Sequence, residues 1–144
     1  MVDHVLILRK LAELEKYLGQ IREYSNISAL DYANDWKTQR IVERTLQMMI
    51  ELCVDIANHI ISDAAYRIPN TYADTFEVLY ENQLIGKAIY DKLVKMTKFR
   101  NIVIHQYDKI DEEIVVSILN KNLDDFLAYR DAIIEYLKAT RRPE

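Results

Sequence analysis

The sequence predicts an all-α protein, an up-and-down helical bundle of about four long helices plus a short one, in a single domain spanning residues 1–144. Only two Gly and two Pro occur in the chain, and this scarcity of turn residues favours a few long helices over many short strands. Half of the residues are apolar and 29% are charged, as in an ordinary folded domain with a sizeable core. Apolar residues also recur at helical spacing, which locates the helices one by one.

The first helix is predicted from about residue 3 to residue 24. Its apolar residues recur at alternating spacings of four and three, which places them on one side: Ile7, Leu11, Leu14, Leu18 and Ile21. Asp3 can cap the start of this helix. Residues 25–35 mix Asn, Ser and Asp with isolated apolar residues, which predicts a connection with room for a short helix.

A second long helix is predicted from about Asp35 to Ser62. It is apolar on most sides, so we expect it to be central in the bundle or buried between the domain and a partner. Its polar residues recur at steps of three and four and form one stripe: Arg40, Arg44, Gln47, Glu51, Asp55 and Asn58. Two interpretations stay open, because the stripe is either the solvent face of an amphipathic helix or the polar wall of a cleft.

The segment Ile68-Pro69-Asn70-Thr71 is the clearest break in the helical pattern. Pro69 disfavours helix at the residue before it, and Thr71 can cap the start of a new helix. A short helix is therefore predicted from about Tyr72 to Glu81, and a long helix from about Lys87 to Ile104.

The last helix is predicted to begin after Asp111, a good capping residue, and to run to about Ala139. Its start, Ile114-Val115-Val116, is β-branched, and this is the one place where a strand competes with a helix. The final residues, 141–144, are expected to fray.

Charge and cysteine content exclude several classes of protein. The net charge of −4 argues against a broad, non-specific nucleic-acid binder. Residues 87–100 nevertheless carry five cations against one acid, a local charge of +4 that suits either a solvated helix face or the approach of a few phosphates. A single cysteine, Cys53, rules out an internal disulfide framework. With no basic leader and no run of 18 apolar residues, we expect a cytoplasmic protein without a membrane span.

The most informative segment is Arg100-Asn101-Ile102-Val103-Ile104-His105-Gln106-Tyr107. Arg presents a planar fork of donors that can hold a phosphate, and His can give or take a proton near pH 7. These two side chains are the minimum equipment for cleaving RNA without a metal. The same three residue types also occur together by chance on many helices, as a surface Arg, a partly buried His and a packed Tyr.

The spacing of this motif raises a geometric difficulty. Residues five apart in a regular α-helix point about 140° away from each other, so Arg100 and His105 cannot both face one phosphate from an undistorted helix. Either the helix ends near His105, or a second copy of the chain completes the site.

Other chemistries lack the residues that they need. Two isolated glycines cannot make a phosphate loop, and one Cys with three scattered His makes a zinc site improbable. His59 follows Asp55 by four, which suits a hydrogen-bonded structural His better than a metal ligand. We therefore expect no metal and no cofactor.

Three segments together resemble the HepT-like HEPN proteins. They are residues 43–61, where Glu43-Arg44-Thr45-Leu46-Gln47 precedes Glu51 and Asp55-Ile56-Ala57-Asn58-His59-Ile60-Ile61; the break Ile68-Pro69-Asn70-Thr71-Tyr72; and Lys95-Met96-Thr97-Lys98-Phe99-Arg100-Asn101 leading to His105 and Tyr107. The resemblance covers about residues 35–137. Its combination of an Arg-x-x-x-x-His motif, a trailing Tyr and the second-helix pattern is fairly specific.

The resemblance implies a helical bundle that forms a homodimer, with two motifs facing each other across a cleft. It implies a metal-independent ribonuclease toxin of a prokaryotic toxin–antitoxin pair, with RNA as substrate. The antitoxin implied is an MntA-like minimal nucleotidyltransferase that transfers AMP to the motif tyrosine, which here is Tyr107. The facing motifs would also resolve the geometric difficulty, because two copies together can surround one phosphate.

The expected roles are Arg100 and His105 as catalytic residues and Tyr107 as the site of adenylylation. Asn101 is expected to orient the His or donate to phosphate, and the site is expected to be supported by three residues of the second helix: Arg44, Glu51 and Asp55. The rival interpretation is a non-catalytic subunit that binds a nucleotidyltransferase and uses the Arg/His motif for contact alone.

Overall fold

Seven α-helices make up the fold of residues 3–140, the part of the chain that the computed structural model describes. In chain order they are α1 (His4–Ile21), α2 (Ala29–Ala33), α3 (Trp36–Ala64), α4 (Tyr72–Glu81), α5 (Lys87–His105), α6 (Glu112–Ser117) and α7 (Asp124–Thr140). No strand occurs within these residues, and the predicted fold class is confirmed. The expectation that residues 141–144 fray lies outside the described residues.

Side-chain caps set where the helices begin. The Asp3 carboxylate accepts the backbone N–H of Leu6 at 3.0 Å, and the Thr71 hydroxyl accepts that of Asp74 at 3.0 Å. The Asp111 carboxylate accepts the N–H of Glu113 at 2.9 Å. Each such cap stabilises a helix by about 1 kcal/mol because it satisfies a backbone donor that has no partner within the helix. The predicted starts are correct for this reason.

Helix α3 is the central element, as its apolar sequence predicts. It packs against α1, α2, α4 and α5, and its side chains are buried on more than one side. Cys53 is fully buried, and its backbone carbonyl accepts the Tyr129 hydroxyl of α7 at 2.7 Å. Burial raises the pKa of the Cys53 thiol, so this residue is a small core residue rather than a nucleophile.

The four long helices alternate in direction, which is the predicted up-and-down arrangement. Contacts at two levels show it: Lys10 of α1 binds Asp55 of α3 while Tyr17 lies near Met48, and Arg100 of α5 binds Glu51 of α3 while Tyr107, just after α5, lies under Arg40. Arg130 of α7 binds Glu15 of α1. A second pair, Arg22 with Asp124, lies at the other end of α1, so α7 runs antiparallel to α1. None of the helices within residues 3–140 is both long enough and apolar enough to cross a membrane.

The single last helix that the sequence predicts is divided in the structure. A π-helical turn, Ile118–Asn122, separates α6 from α7. The Asn120 amide donates to the Ser25 carbonyl at 2.6 Å, which ties the wider turn to the connection after α1. A π turn inserts extra backbone and shifts the register of the residues after it, here bringing Phe126 and Tyr129 into the core. The β-branched start is helical, with Val115 fully buried.

Candidate functional site

Arg100 lies in the last part of α5 and points toward the polar stripe of α3. Its Nε and Nη2 atoms donate to one Glu51 carboxylate oxygen at 3.1 and 2.9 Å. Its Nη1 atom donates to the Asn101 amide oxygen at 3.2 Å. A guanidinium has five N–H donors, so three are engaged and two remain for a ligand. The side chain is 16% exposed, which leaves the charged fork accessible from one direction.

The face of the Arg100 guanidinium rests on an aromatic ring. The Arg100 Cζ atom lies 4.5 Å from the ring centroid of Tyr72, the first residue of α4. A cation over an aromatic face gains about 0.5–2 kcal/mol, more as the contact is desolvated. Three neighbours therefore hold the Arg100 guanidinium. Glu51 and Asn101 accept hydrogen bonds in its plane, and the Tyr72 ring lies against its face.

The polar stripe of α3 serves several different partners. Gln47 donates to the same Glu51 oxygen at 3.2 Å, so Glu51 links Gln47 to Arg100. Asp55, one turn further along, binds Lys10 and lies 3.6 Å from His59, away from Arg100. Arg44 is exposed and forms no ion pair with any residue in 3–140. The structure thus brings Asn101 and Glu51 to Arg100, but places Asp55 and Arg44 beside other groups.

His105 is the last residue of α5. The helix ends there because Gln106 leaves helical geometry, with φ −135° and ψ 50°. The imidazole is exposed and forms no hydrogen bond to another side chain among the described residues. The helix does end at His105, yet the motif stays helical from Arg100 to His105, so the two side chains diverge within one copy. The helical spacing therefore still separates the two side chains, as the sequence predicts for a single copy.

Tyr107 lies just beyond the helix, in a short 3₁₀ turn, Tyr107–Lys109, and is 46% exposed. The Arg40 guanidinium of α3 lies 4.9 Å from its ring centroid. Desolvation and the nearby Glu43 raise the pKa of the Tyr107 phenol above its ordinary value. The phenol is therefore protonated at neutral pH.

About three turns of α3 separate the residue over the Tyr107 ring from the partner of Arg100. Arg40 and Glu51 are 11 residues apart in sequence, which is about 16 Å along a helix. His105 lies between Arg100 and Tyr107 in sequence, at the end of α5. The geometry therefore gives an elongated site along α3, with the Arg100 guanidinium at one end and the Tyr107 phenol at the other.

The positive charge of residues 87–100 is largely paired. Lys87 binds Asp91 at 3.1 Å and Lys92 binds Asp125 at 3.0 Å, while Arg100 binds Glu51. Within residues 3–140, Lys95 and Lys98 are the cations of this segment without an ion-pair partner. The approach to the motif is thus less electropositive than the sequence charge of +4 indicates.

The described residues outside this site were also compared with the requirements of a metal site. No group of three or more His, Cys, Asp or Glu within residues 3–140 is arranged to hold a metal ion. The His59 Nε2 atom lies 3.6 Å from the Asp55 carboxylate on α3.

Three residues of the site are not indicated as such by the sequence. Tyr72 is predicted only as the start of a helix, and no local pattern indicates that it meets Arg100, 28 positions later. Arg40 lies at the start of α3 with Glu43 beside it, and the meeting of Arg40 with Tyr107 depends on how α5 ends. The one available signal is the i, i+3 spacing of Arg40 and Glu43, whose side chains approach to 3.6 Å.

Sequence comparisons relate this chain to HepT-like ribonucleases. The family model described as "Ribonuclease HepT-like" matches residues 14–133. The "mRNA nuclease HepT" of Shewanella oneidensis is 33% identical over 128 residues, which are 89% of this chain and 96% of the relative. The "tRNA nuclease HepT" of Aphanizomenon flos-aquae is 28% identical over 136 residues, covering 94% of this chain and 92% of the relative.

Solved structures agree with the sequence comparisons. The tri-AMPylated Shewanella oneidensis HEPN toxin in complex with MNT antitoxin superimposes with a TM-score of 0.84 at 32% identity, covering 94% of this chain and 99% of the toxin. A toxin–antitoxin structure with AMP-PNP gives a TM-score of 0.86 at 32% identity, covering 92% and 99%. The resemblance carried by the α3 pattern and the Arg/His/Tyr motif is confirmed.

Proposed function

This chain belongs to the ribonuclease HepT-like family, and from that membership we propose that it is a metal-independent endoribonuclease, the toxin of a prokaryotic toxin–antitoxin pair. The observation that carries the mechanism is the Arg100 guanidinium, which is held on three sides and keeps two donors for a phosphate. An exposed imidazole, His105, ends the same helix.

The reaction that suits these groups is transphosphorylation of RNA. The ribose 2′-oxygen forms a bond to the adjacent phosphorus while the bond to the 5′-oxygen breaks, which leaves a 2′,3′-cyclic phosphate. His105 takes the proton from the 2′-hydroxyl, directly or through water, and the departing 5′-oxygen takes a proton from solvent. The two remaining Arg100 donors stabilise the charge that grows on the phosphoryl oxygens.

Each supporting residue has a part in this proposal. Glu51 and Asn101 fix the orientation of Arg100, so that less conformational entropy is lost when RNA binds. Since Arg100 and His105 diverge within one copy, we propose a homodimer in which the motifs of two copies face one RNA phosphate. Asp55 and Arg44 lie near the site on α3 and support it indirectly, through the position of that helix.

Tyr107 is the residue through which we propose that RNA cleavage is switched off. The Shewanella toxin is AMPylated in complex with an MNT antitoxin, and we infer that a minimal nucleotidyltransferase likewise adds AMP to Tyr107 of this chain. The added phosphate would lie beside His105, along the path of the RNA, and its charge would repel the RNA backbone. We place this toxin and its partner in the cytoplasm, where their substrates are.

The catalytic assignment is tested by His105→Ala and Arg100→Ala. Each is expected to lower single-turnover RNA cleavage by about 10²- to 10⁴-fold, because each removes one acid–base or electrostatic group. Cleavage by the unaltered chain is expected to continue in EDTA. His4→Ala, which changes a histidine at the other end of the chain, is the matched control and should leave cleavage unchanged.

Full cleavage by the His105→Ala protein, or complete loss of cleavage in EDTA, would exclude this mechanism. If the unaltered chain binds a nucleotidyltransferase tightly but neither cleaves RNA nor arrests host growth, the non-catalytic partner is the correct interpretation.

The point of control is tested by Tyr107→Phe, which keeps the ring and removes the acceptor oxygen. We expect this variant to fold, to retain at least part of its RNA cleavage and to gain no AMP at this position when it is co-expressed with the nucleotidyltransferase. Peptide-resolved mass spectrometry measures the modification. Unchanged AMP content of the variant would show that another residue is the acceptor.

A further inference from the structure

A cavity lies between α5, α6, the π turn and the start of α7, and none of the motif residues lines it. Its volume is about 250 Å³. Pockets that hold whole drug-sized ligands measure roughly 300–1,000 Å³, so this cavity suits a single ring system. The Ser117 hydroxyl and the Asn122 amide are groups that can hydrogen-bond the edge of a flat heterocycle. Four apolar side chains also line the cavity: Met96, Phe99, Ile114 and Ile118.

One cation at this cavity is available to a ligand. Lys92 and Lys95 both line it, but Lys92 is paired with Asp125 at 3.0 Å. Lys95 is exposed and has no ion-pair partner within residues 3–140. An apolar cavity beside an unpaired ammonium group is complementary to a ligand that joins a flat ring to an anion. A nucleotide has this chemistry, because its base packs against apolar side chains while its phosphate binds a cation.

The position of the cavity on α5 relates it to His105. Lys98 precedes His105 by seven residues, which is about 20° around the helix axis and about 10.5 Å along it. Lys95 lies about 80° around the axis from His105 and about 15 Å along it. Lys98 is exposed and, like Lys95, has no ion-pair partner in the described part of the chain. Two ammonium groups therefore lead along α5 from the face of His105 to the cavity, whereas Arg100 points away from that face.

We propose that this cavity is a subsite for one unpaired nucleobase of the RNA substrate, and that Lys95 and Lys98 bind phosphates between that base and His105. This inference rests on the proposed function, in which RNA is cleaved beside His105. A base that is paired in a duplex cannot enter the cavity, so the subsite selects single-stranded RNA. The apolar lining accepts the face of any base, while Ser117 and Asn122 contact its edge.

The test measures binding apart from cleavage. The probe is a labelled single-stranded oligonucleotide that is 2′-O-methylated, so it lacks the attacking hydroxyl, and that is only long enough to reach from His105 to the cavity. Abasic nucleotides are introduced one position at a time. With the unaltered chain, loss of the base at one position should weaken binding by about 5-fold or more, because base packing in single-strand sites is strong. This measurement does not depend on whether any variant folds.

Ile114→Ala removes part of the cavity lining. It should weaken binding of the intact oligonucleotide by about 3- to 10-fold, and the abasic change that matters in the unaltered chain should then have little further effect. Leu8→Ala is the matched control, because Leu8 on α1 and Ile114 are each 50% exposed. The control should bind every oligonucleotide as the unaltered chain does.

Salt dependence tests the two lysines. Each phosphate of a single strand that a cation neutralises contributes about 0.7 to the slope of log Kd against log salt concentration. Lys95→Gln and Lys98→Gln should each reduce the slope by about this amount, and Lys98→Arg should retain it. Lys16→Gln removes the same charge from an exposed α1 residue that has no ion-pair partner within residues 3–140, and should leave the slope unchanged.

Unchanged salt slopes in both glutamine variants would overturn the proposal, and so would the lack of any position at which an abasic change matters more than elsewhere. An Ile114→Ala chain that binds the oligonucleotide normally but no longer binds the nucleotidyltransferase would show that the cavity docks a protein instead. Cleavage of unmodified RNA is measured separately. A chain that binds the oligonucleotide through these residues but cuts no RNA would retain the subsite and refute the proposed function.

Discussion

The side chain of Arg100 is held in place by three neighbouring residues. Glu51 and Asn101 engage its donors in the plane of the guanidinium, and Tyr72 lies against its face. A long flexible side chain is thereby restricted before any substrate arrives, which lowers the entropy that binding must remove. The contact with Tyr72 differs from the other two because it restrains Arg100 without occupying a donor.

We predict that Tyr72→Leu lowers single-turnover cleavage by about 5- to 30-fold, corresponding to a loss of about 1–2 kcal/mol of cation–π stabilisation. Tyr72→Phe keeps the aromatic face and should cleave nearly as fast as the unaltered chain. The rate constant at saturating RNA measures the effect. Equal losses in the Phe and Leu variants would indicate that the hydroxyl, and not the ring, is responsible.

At the scale of elements, Arg67 holds helix α4 in position and thereby positions Tyr72, the first residue of that helix. Arg67, in the α3–α4 connection, donates to both Asp74 oxygens at 2.9 and 2.7 Å and to Glu81 at 2.9 and 2.8 Å. Asp74 also accepts the backbone N–H of Asn70. The first and last turns of α4 are thus bound to the connection that precedes the helix. The Arg67 hydrogen bonds hold the pKa values of Asp74 and Glu81 below their ordinary range.

We predict a pH-dependent stability contribution from this cluster. Because the folded pKa of Asp74 is depressed, its contribution is complete above the unfolded value of 3.8 and disappears as the pH falls through the folded value. Asp74→Asn should therefore lower the urea midpoint at pH 6, and the difference from the unaltered chain should shrink below about pH 4. Glu23→Gln, an exposed change on the 3₁₀ turn after α1, is the control. A difference that stays constant from pH 6 to pH 3 would contradict the prediction.

At the scale of the whole molecule, the question is whether the site is completed by a second copy of the chain. The apolar sequence of α3 predicts a helix that is either central or covered by a partner, and the structure buries most of α3 within one chain. The apolar side chains that stay exposed include Ile41, next to Arg40, and Ile104, next to His105. The case for self-association is therefore the divergence of Arg100 and His105, together with exposed apolar residues beside the motif.

We predict a homodimer by sedimentation at micromolar concentration, with a site shared between copies. Mixing the Arg100→Ala and His105→Ala proteins should then restore cleavage that neither shows alone, because the mixed dimer contains one complete pair formed across the interface. Each variant mixed with itself is the control. A monomer would exclude the shared site, and a dimer without restoration would place both groups of a working pair in one copy.

Most of the fold was predictable because its signals are local. Asp3, Thr71 and Asp111 cap helices through hydrogen bonds within three residues, and apolar periodicity marks the buried faces. The division of the last helix was not predictable, because the π turn depends on a contact between Asn120 and Ser25, 95 residues apart.

The sequence by itself determined the fold class, the family and the chemical types at the site, since residue type sets what Arg100, His105 and Tyr107 can do. It also placed Glu51 on a polar stripe. Only the tertiary structure decided which groups meet: Glu51 and Tyr72 hold Arg100, Arg40 lies over the Tyr107 ring, and Asp55 binds Lys10. The reason is physical, because side chains from different helices meet only after the core has set the position and rotation of each helix.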